Sequence, residues 1–102
     1  MEENQKRMIG VVVRYAEEYG IDVGLDPLNN PADVEKFLKL TLIDDLRFDS
    51  MDTVEITMSL EDEFEIDLPD ELFDNLSAEE YTVGKFFEVV QKQLDKTRVG
   101  QL

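Results

Sequence analysis

The side chains able to do chemistry in this 102-residue chain are few in kind. Neither Cys nor His occurs, which removes thiolate and imidazole metal ligands, disulfides, a Cys nucleophile and the Ser-His-Asp triad. What remains is acid in abundance and one serine in a telling place. Ser50 stands in Asp49-Ser50-Met51-Asp52, where a helix is expected to begin. A phosphate ester on its hydroxyl would meet free backbone N–H groups and the positive end of the helix dipole. A lone Ser beside Asp49 is more often a plain cap residue. As a hydrolytic nucleophile it lacks a His to serve it, and only a Lys base is formally available.

The helix that follows, within RFDSMDTVEITMSLEDEF at 47–64, is apolar on two opposite sides. With residue 51 at 0° and about 100° per residue, Met51, Val54 and Met58 fall near 0°, 300° and 340°. Ile56, Leu60 and Phe64 fall near 140°, 180° and 220° by the same rule. Only one set can face the core of a thin bundle. Ile, Leu and Phe make the better core stripe, so the methionine strip is expected in solvent. Glu55, Glu61, Asp62 and Glu65 rim that strip. An adaptable apolar strip with an anionic border suits a helix that docks several partners, because methionine repacks and the charges steer.

Charge across the whole chain agrees. There are 25 acids against 10 bases, for a net charge of −15. Residues 48–84 contain no Lys or Arg. Such a field repels nucleic acid and anionic membrane and draws in basic protein surfaces. Simple solubility is the plainer reading of acidity, but so long a block without a base favours a partner surface. A calcium loop over Asp44 to Glu55 fails, since Leu46, Phe48 and Asp49 occupy positions that require oxygen ligands and a glycine. Every acid cluster falls on an expected exposed helix rather than in a pocket, which argues against an enzyme.

The elements that must position Ser50 are helical. Met8, Val11, Val12, Tyr15 and Tyr19 follow helical spacing up to Gly20, predicting a first helix over 3–19. A long connection over 20–48 includes a short helix capped by Asn30 with Pro31 at its first position, and Val34, Phe37 and Leu38 on one face. Leu42, Ile43 and Leu46 are expected to tuck this connection onto the core. The central helix runs from Ser50 to Glu65 with Asp49 as N-cap. Pro69 opens a short stretch holding Leu72, Phe73 and Leu76, and Ser77-Ala78-Glu79-Glu80 has the form of a capping box. Thr82 caps a last helix carrying Val83, Phe86, Phe87, Val90 and Leu94. No strand alternation is visible. The expected fold is all-α, a small four-helix bundle, with one domain over 1–98 and a frayed tail over 99–102. Acids at Glu2 and Glu3 argue against a signal peptide, and no run is long enough to span a bilayer, so a cytoplasmic monomer is expected.

Asp49-Ser50-Met51-Asp52 followed by TVEITMSLEDEF resembles the phosphopantetheine-attachment segment of acyl carrier proteins, whose hallmark is Asp-Ser-Leu before an acidic helix. The likeness covers Leu42 to Leu94 well, including LPDE at Leu68 to Glu71 and Thr82-Val83, and reaches the first helix more loosely. It implies an acyl carrier bundle with a long first loop and an extended third-helix region, and a carrier in place of an enzyme. By the same resemblance, Ser50 would bear a covalent 4′-phosphopantetheine, attached by a phosphopantetheinyl transferase that supplies catalysis and Mg²⁺. The arm's thiol would hold acyl chains as thioesters, and Asp49 would help position the attachment site. Met51, Val54, Glu55, Met58, Glu61 and Asp62 would form the face that acyl transferases, ketosynthases and other acyl-processing enzymes read through basic patches. No metal is implied.

Three departures from the family pattern stand out. Met51 replaces the usual Leu, a volume-conserving swap. The loop before Ser50 is longer, and so is the stretch from Pro69 to Val83. The segment SAEEYTVGKF is similar to specialised carriers that deliver long acyl chains to lipid A. These departures argue against a housekeeping role in fatty acid synthesis and leave the cargo open. The competing reading is an acidic interaction or inhibitor protein with no prosthetic group.

Overall fold

The chain is described here from a computed structural model, over residues 3–73 and 81–100, with side chains through residue 96. Four α-helices and one short 3-10 turn make up the regular structure of the described residues: α1 (Glu3–Glu18), α2 (Ala32–Leu38), α3 (Ser50–Phe64), the 3-10 turn (Asp70–Phe73) and α4 (Val83–Gly100). The described residues contain no strand; a single antiparallel bridge joins Thr41 to Thr82. The expected all-α bundle is the observed one. No helix among the described residues is long and apolar enough to cross a membrane.

Helix α1 forms because Met8, Ile9, Val11, Val12, Tyr15 and Ala16 line one buried face. It ends at Gly20, whose φ of +69° suits a residue without a Cβ. There the Ile21 amide donates to the Ala16 carbonyl at 2.8 Å and the Gly20 amide to the Glu17 carbonyl at 3.3 Å, which is the Schellman pattern. Tyr19, grouped by spacing with the core residues, lies between Glu18, the last residue of α1, and this stop. It is 55% exposed, a correction to the expected stripe.

The long connection has structure of its own, as its length requires. Asn30 Oδ1 accepts from the Ala32 amide at 3.1 Å, and Pro31 has helical angles of −58° and −27°, so the expected cap and first position are in place. Phe37 is fully buried, and Val34 and Leu38 pack against the core. Gly84, at the start of α4, lets that helix come close to α2: a Cβ there would lie 3.0 Å from the Leu38 carbonyl oxygen.

Leu42 and Leu46 are buried, but Ile43 is 45% exposed, which corrects its expected place in the core. The cause is a tight turn closed by Thr41 and Asp45. The Thr41 amide donates to Asp45 Oδ2 and the Asp45 amide to Thr41 Oγ1, at 2.8 and 3.0 Å. Across this turn the Leu46 amide bonds the Thr41 carbonyl at 3.1 Å, and Leu42 and Leu46 are buried while Ile43 is exposed. Phe48, not expected in the core, is buried and meets the Tyr15 ring edge-on at 5.8 Å.

Helix α4 starts where Thr82 Oγ1 accepts from the Lys85 amide at 3.1 Å. It buries Val83, Phe86, Phe87 and Val90 and half-buries Leu94, the stripe its spacing predicts. Its backbone stays helical through residues 99 and 100. The expected capping box at Ser77 to Glu80, together with Leu76 and the last two residues, lies outside the described residues.

Candidate functional site

Helix α3 begins with a reciprocal cap. Asp49 Oδ1 accepts from the Asp52 amide, and Asp52 Oδ2 from the Asp49 amide, each at 2.9 Å. This capping box fixes where the helix starts without using the Ser50 side chain. Ser50 is the first residue of α3 and is exposed. Amides of the first turn have no intrahelical acceptor. The Asp49 side chain serves that of Asp52, and those of Ser50 and Met51 have no intrahelical acceptor. An exposed hydroxyl beside such donors suits a phosphodiester, and the site fits a phosphopantetheine arm on those grounds.

The two faces of α3 separate as their angles predict. Ile56 and Leu60 are fully buried and Phe64 half-buried, while Met51, Val54 and Met58 are 67%, 51% and 57% exposed. The rim is less uniform. Asp62 is exposed and forms no ion pair or hydrogen bond among the described residues. Glu61 turns back on its own chain: Oε2 accepts from the Leu68 amide at 2.8 Å, holding the segment after α3. Glu55 Oε2 lies 2.8 Å from the Tyr15 hydroxyl.

That hydroxyl joins α1 to the start of α3. It also lies 2.6 Å from Asp52 Oδ1, so one phenolic proton serves two carboxylates. Burial, followed by these bonds and charges, pushes the Tyr15 phenol well above its ordinary value. The Tyr15 bond, reinforced by the Asp49 amide, holds the Asp52 carboxyl below its ordinary value. The signs define two pH windows. A depressed carboxyl stabilises the fold above its unfolded pKa, and that contribution is lost as pH falls below about 4. A raised phenol contributes below its unfolded pKa, and the contribution is lost as pH climbs above about 10. Tyr15→Phe should therefore cost about 1.5–3 kcal/mol at neutral pH, the range for a hydrogen bond to a charged group. It should also flatten the stability profile at both extremes, as urea denaturation at stepped pH would reveal. A profile unchanged from the parent's would show that the hydroxyl does not hold the two helices together.

At the other end of the α1–α3 seam, Arg7 Nε binds Glu63 Oε2 at 2.9 Å and Arg7 Nη2 the Glu63 carbonyl at 2.6 Å. The Arg7 guanidinium also lies 4.4 Å from the centre of the Phe64 ring. Arg14 Nη2 is 3.7 Å from the second Glu63 oxygen. Glu63 is thus the one acid of α3 that the protein neutralises itself among the described residues.

Beside the outward strip, between α3 and the 3-10 turn, opens a cleft of about 240 Å³ whose apolar wall includes Val54, Met58, Leu68, Phe73 and Tyr81. Burial raises the Tyr81 phenol to about 12, so it stays neutral there. Among the described residues no three acidic side chains are grouped so as to hold a metal ion.

Sequence reasoning placed Asp49 and Ser50 but missed that Asp52 completes the cap, although the Asp-x-x-Asp spacing carries that signal. It also missed Tyr15 as a polar tie. An amphipathic stripe marks a tyrosine as core and gives no hint of where its hydroxyl points.

Comparison with known proteins agrees with this geometry. The family model described as "Phosphopantetheine attachment site" matches residues 35–81. The acyl carrier protein of Phenylobacterium zucineum is 41% identical over 64 residues, covering 62% of this chain and 76% of that protein. The mitochondrial acyl carrier protein of Neurospora crassa is 35% identical over 72 residues, 71% of this chain but only 49% of that protein. That of Buchnera aphidicola is 42% identical over 57 residues, 56% of this chain and 66% of its own length. No solved structure matches. The attachment-site match and these relatives show that this chain belongs to the acyl carrier protein family: it is a phosphopantetheine-bearing acyl carrier rather than an enzyme.

Proposed function

We propose that Ser50 is the residue that takes the 4′-phosphopantetheine arm, and that Asp49 holds the helix start in the form the transferase reads. The observation that carries this is Ser50's position, exposed as the first residue of α3 beside unpaired amides. In the attachment step Ser50 Oγ would attack the β-phosphate of coenzyme A and lose its proton, with adenosine 3′,5′-bisphosphate leaving. The chain lacks Cys, so the arm's thiol would be its only thiol. Incubation with a phosphopantetheinyl transferase and coenzyme A, followed by intact mass and peptide mapping, tests the reading. One arm on the Ser50 peptide supports it, and an unmodified chain favours an acidic interaction protein.

Met51, Val54 and Met58, bordered by Glu55, Glu61 and Asp62, form the face offered to acyl transferases, ketosynthases and other acyl-processing enzymes. The apolar cleft of about 240 Å³ beside this face is an opening that part of an acyl chain would enter. Fatty acid or lipid biosynthesis in the cytoplasm is the setting we assign. The lengthened segment before α4, similar in sequence to carriers for lipid A, supports a specialised long-chain cargo.

If the acidic face steers its partners, modification by the transferase should slow as salt rises above about 0.1 M, where the Debye length falls below about 10 Å. Asp62→Lys should slow modification with no change in urea midpoint, because Asp62 has no partner of its own among the described residues. Glu55→Lys also removes an acceptor from Tyr15, so it should lower the midpoint as well. Rates independent of salt and of Asp62 would exclude electrostatic docking.

A further inference from the structure

The strip of α3 does not end at the helix edge. It continues into a groove of about 270 Å³ between α3 and the end of α1, where Tyr19 and Met58 are exposed and Glu18, Glu55 and Asp62 supply negative charge. The Tyr19 ring is held in place from beneath by Tyr15, with centroids 4.6 Å apart.

The chain itself shows what such a groove accepts. At the far end of the same α1–α3 seam, the Arg7 guanidinium covers an aromatic ring of α3 and bonds a carboxylate of α3. Arg14 reaches that carboxylate too. Beyond Arg14 no base follows until Lys36. At the Tyr19 end the same ingredients recur, an aromatic ring with acids beside it; the nearest base, Arg14, shares an adjoining hollow with Glu18 and Asp62 but pairs with Glu63, and no base lines the groove at Tyr19 itself. Glu18 and Asp62 have no ion pair among the described residues. The negative charge of Glu55 falls on the Tyr19 phenol strongly enough to raise its pKa.

We propose that the groove at Tyr19 seats an arginine of the phosphopantetheinyl transferase, its guanidinium over the Tyr19 ring and its charge between Glu18 and Asp62. This rests on the reading of α3 as the docking helix and extends the contact onto α1. Arginine fits better than lysine because its flat, weakly hydrated cation stacks on a ring and still presents donors at its edge. The cost of desolvating it is modest, since the groove is open to water on one side. Tyr19 thus contributes affinity and orientation, while the hydroxyl that reacts stays on α3.

Titration calorimetry of the unmodified chain with the transferase, coenzyme A left out, measures binding without turnover. Tyr19→Ala should raise Kd by roughly 3–10-fold, the span expected of a partly exposed cation–π contact. Tyr19→Phe should stay within about twofold, because the ring face is kept, whereas Tyr19→Leu should behave like the alanine variant while preserving apolar cover over Tyr15. Glu18→Gln should weaken binding in a salt-dependent way. Should Tyr19→Ala lower the urea midpoint, the leucine variant decides. A Kd unchanged for both alanine and leucine variants overturns the proposal. So does a parent chain that sediments as a dimer and reverts to monomer with Tyr19→Ala, since a second copy would then cover the groove. Restoring coenzyme A to the same samples reports on attachment separately: failure to gain the arm overturns the Ser50 reading, whatever Kd does.

Discussion

Ser50→Ala should abolish the mass increase that the transferase and coenzyme A produce, completely and without unfolding the chain. Only three serines are present, and their settings differ in the property that matters. Ser59 lies within α3, where the amides around it are taken up by the helix and the end-charge of the dipole has faded. Ser77 lies outside the described residues. Of the two described serines, only Ser50 stands at a helix start. Its removal should be benign for the fold because the cap is built from Asp49 and Asp52, each bonded to the other's amide. Alanine is also the better helix former, by a few tenths of a kcal/mol. Asp49→Ala inverts this pattern: loss of an N-cap should cost about 0.5–2 kcal/mol while the hydroxyl remains. A chain that still gains the arm after Ser50→Ala would remove the assignment at once.

How far these features can be read from sequence depends on the range of the interaction behind them. Caps are local, so Asn30, Asp49 and Thr82 stand at helix starts as their residue types require. The two faces of α3 follow from its rotation per residue, and Met58 and Leu60 accordingly lie on opposite sides of the bundle wall. What sequence left hidden is set by contacts between elements. Tyr19 continues the apolar spacing of α1, but the chain turns away at Gly20 before the residue can be covered. Ile43 looks as apolar as Leu42, yet the Thr41–Asp45 turn gives the core to residues four apart. Glu61 and Glu55 appear on a helical wheel as rim acids like Asp62. One nevertheless binds the Leu68 amide and the other faces the Tyr15 hydroxyl, partners 7 and 40 residues away. Sequence periodicity therefore finds the surface, and tertiary contacts decide which of its charges are free to meet a partner.

Leu60→Ala and Met58→Ala should separate stability from recognition, though the residues are two apart on one helix. Leu60 is fully buried in the core. Truncation there should cost about 2–5 kcal/mol through lost burial and the cavity left behind, a large share of the roughly 5–15 kcal/mol that holds a small domain folded. Met58 is 57% exposed, so its truncation should cost well under about 1 kcal/mol. Phe64→Ala should fall between them, because that ring is half-buried and also lies under the Arg7 guanidinium. Modification rates should rank the other way. Met58 borders both the strip and the Tyr19 groove, and without it a partner loses the apolar centre around which the acids are arranged. Leu60→Ala should lose rate only in proportion to the fraction unfolded, and should recover it in an uncharged stabilising osmolyte such as sucrose. Urea denaturation and transferase kinetics on the same three samples make the comparison. Equal destabilisation by Met58→Ala and Leu60→Ala would mean that the strip is buried in solution, and the docking face would then have to be sought elsewhere even with Ser50 modified.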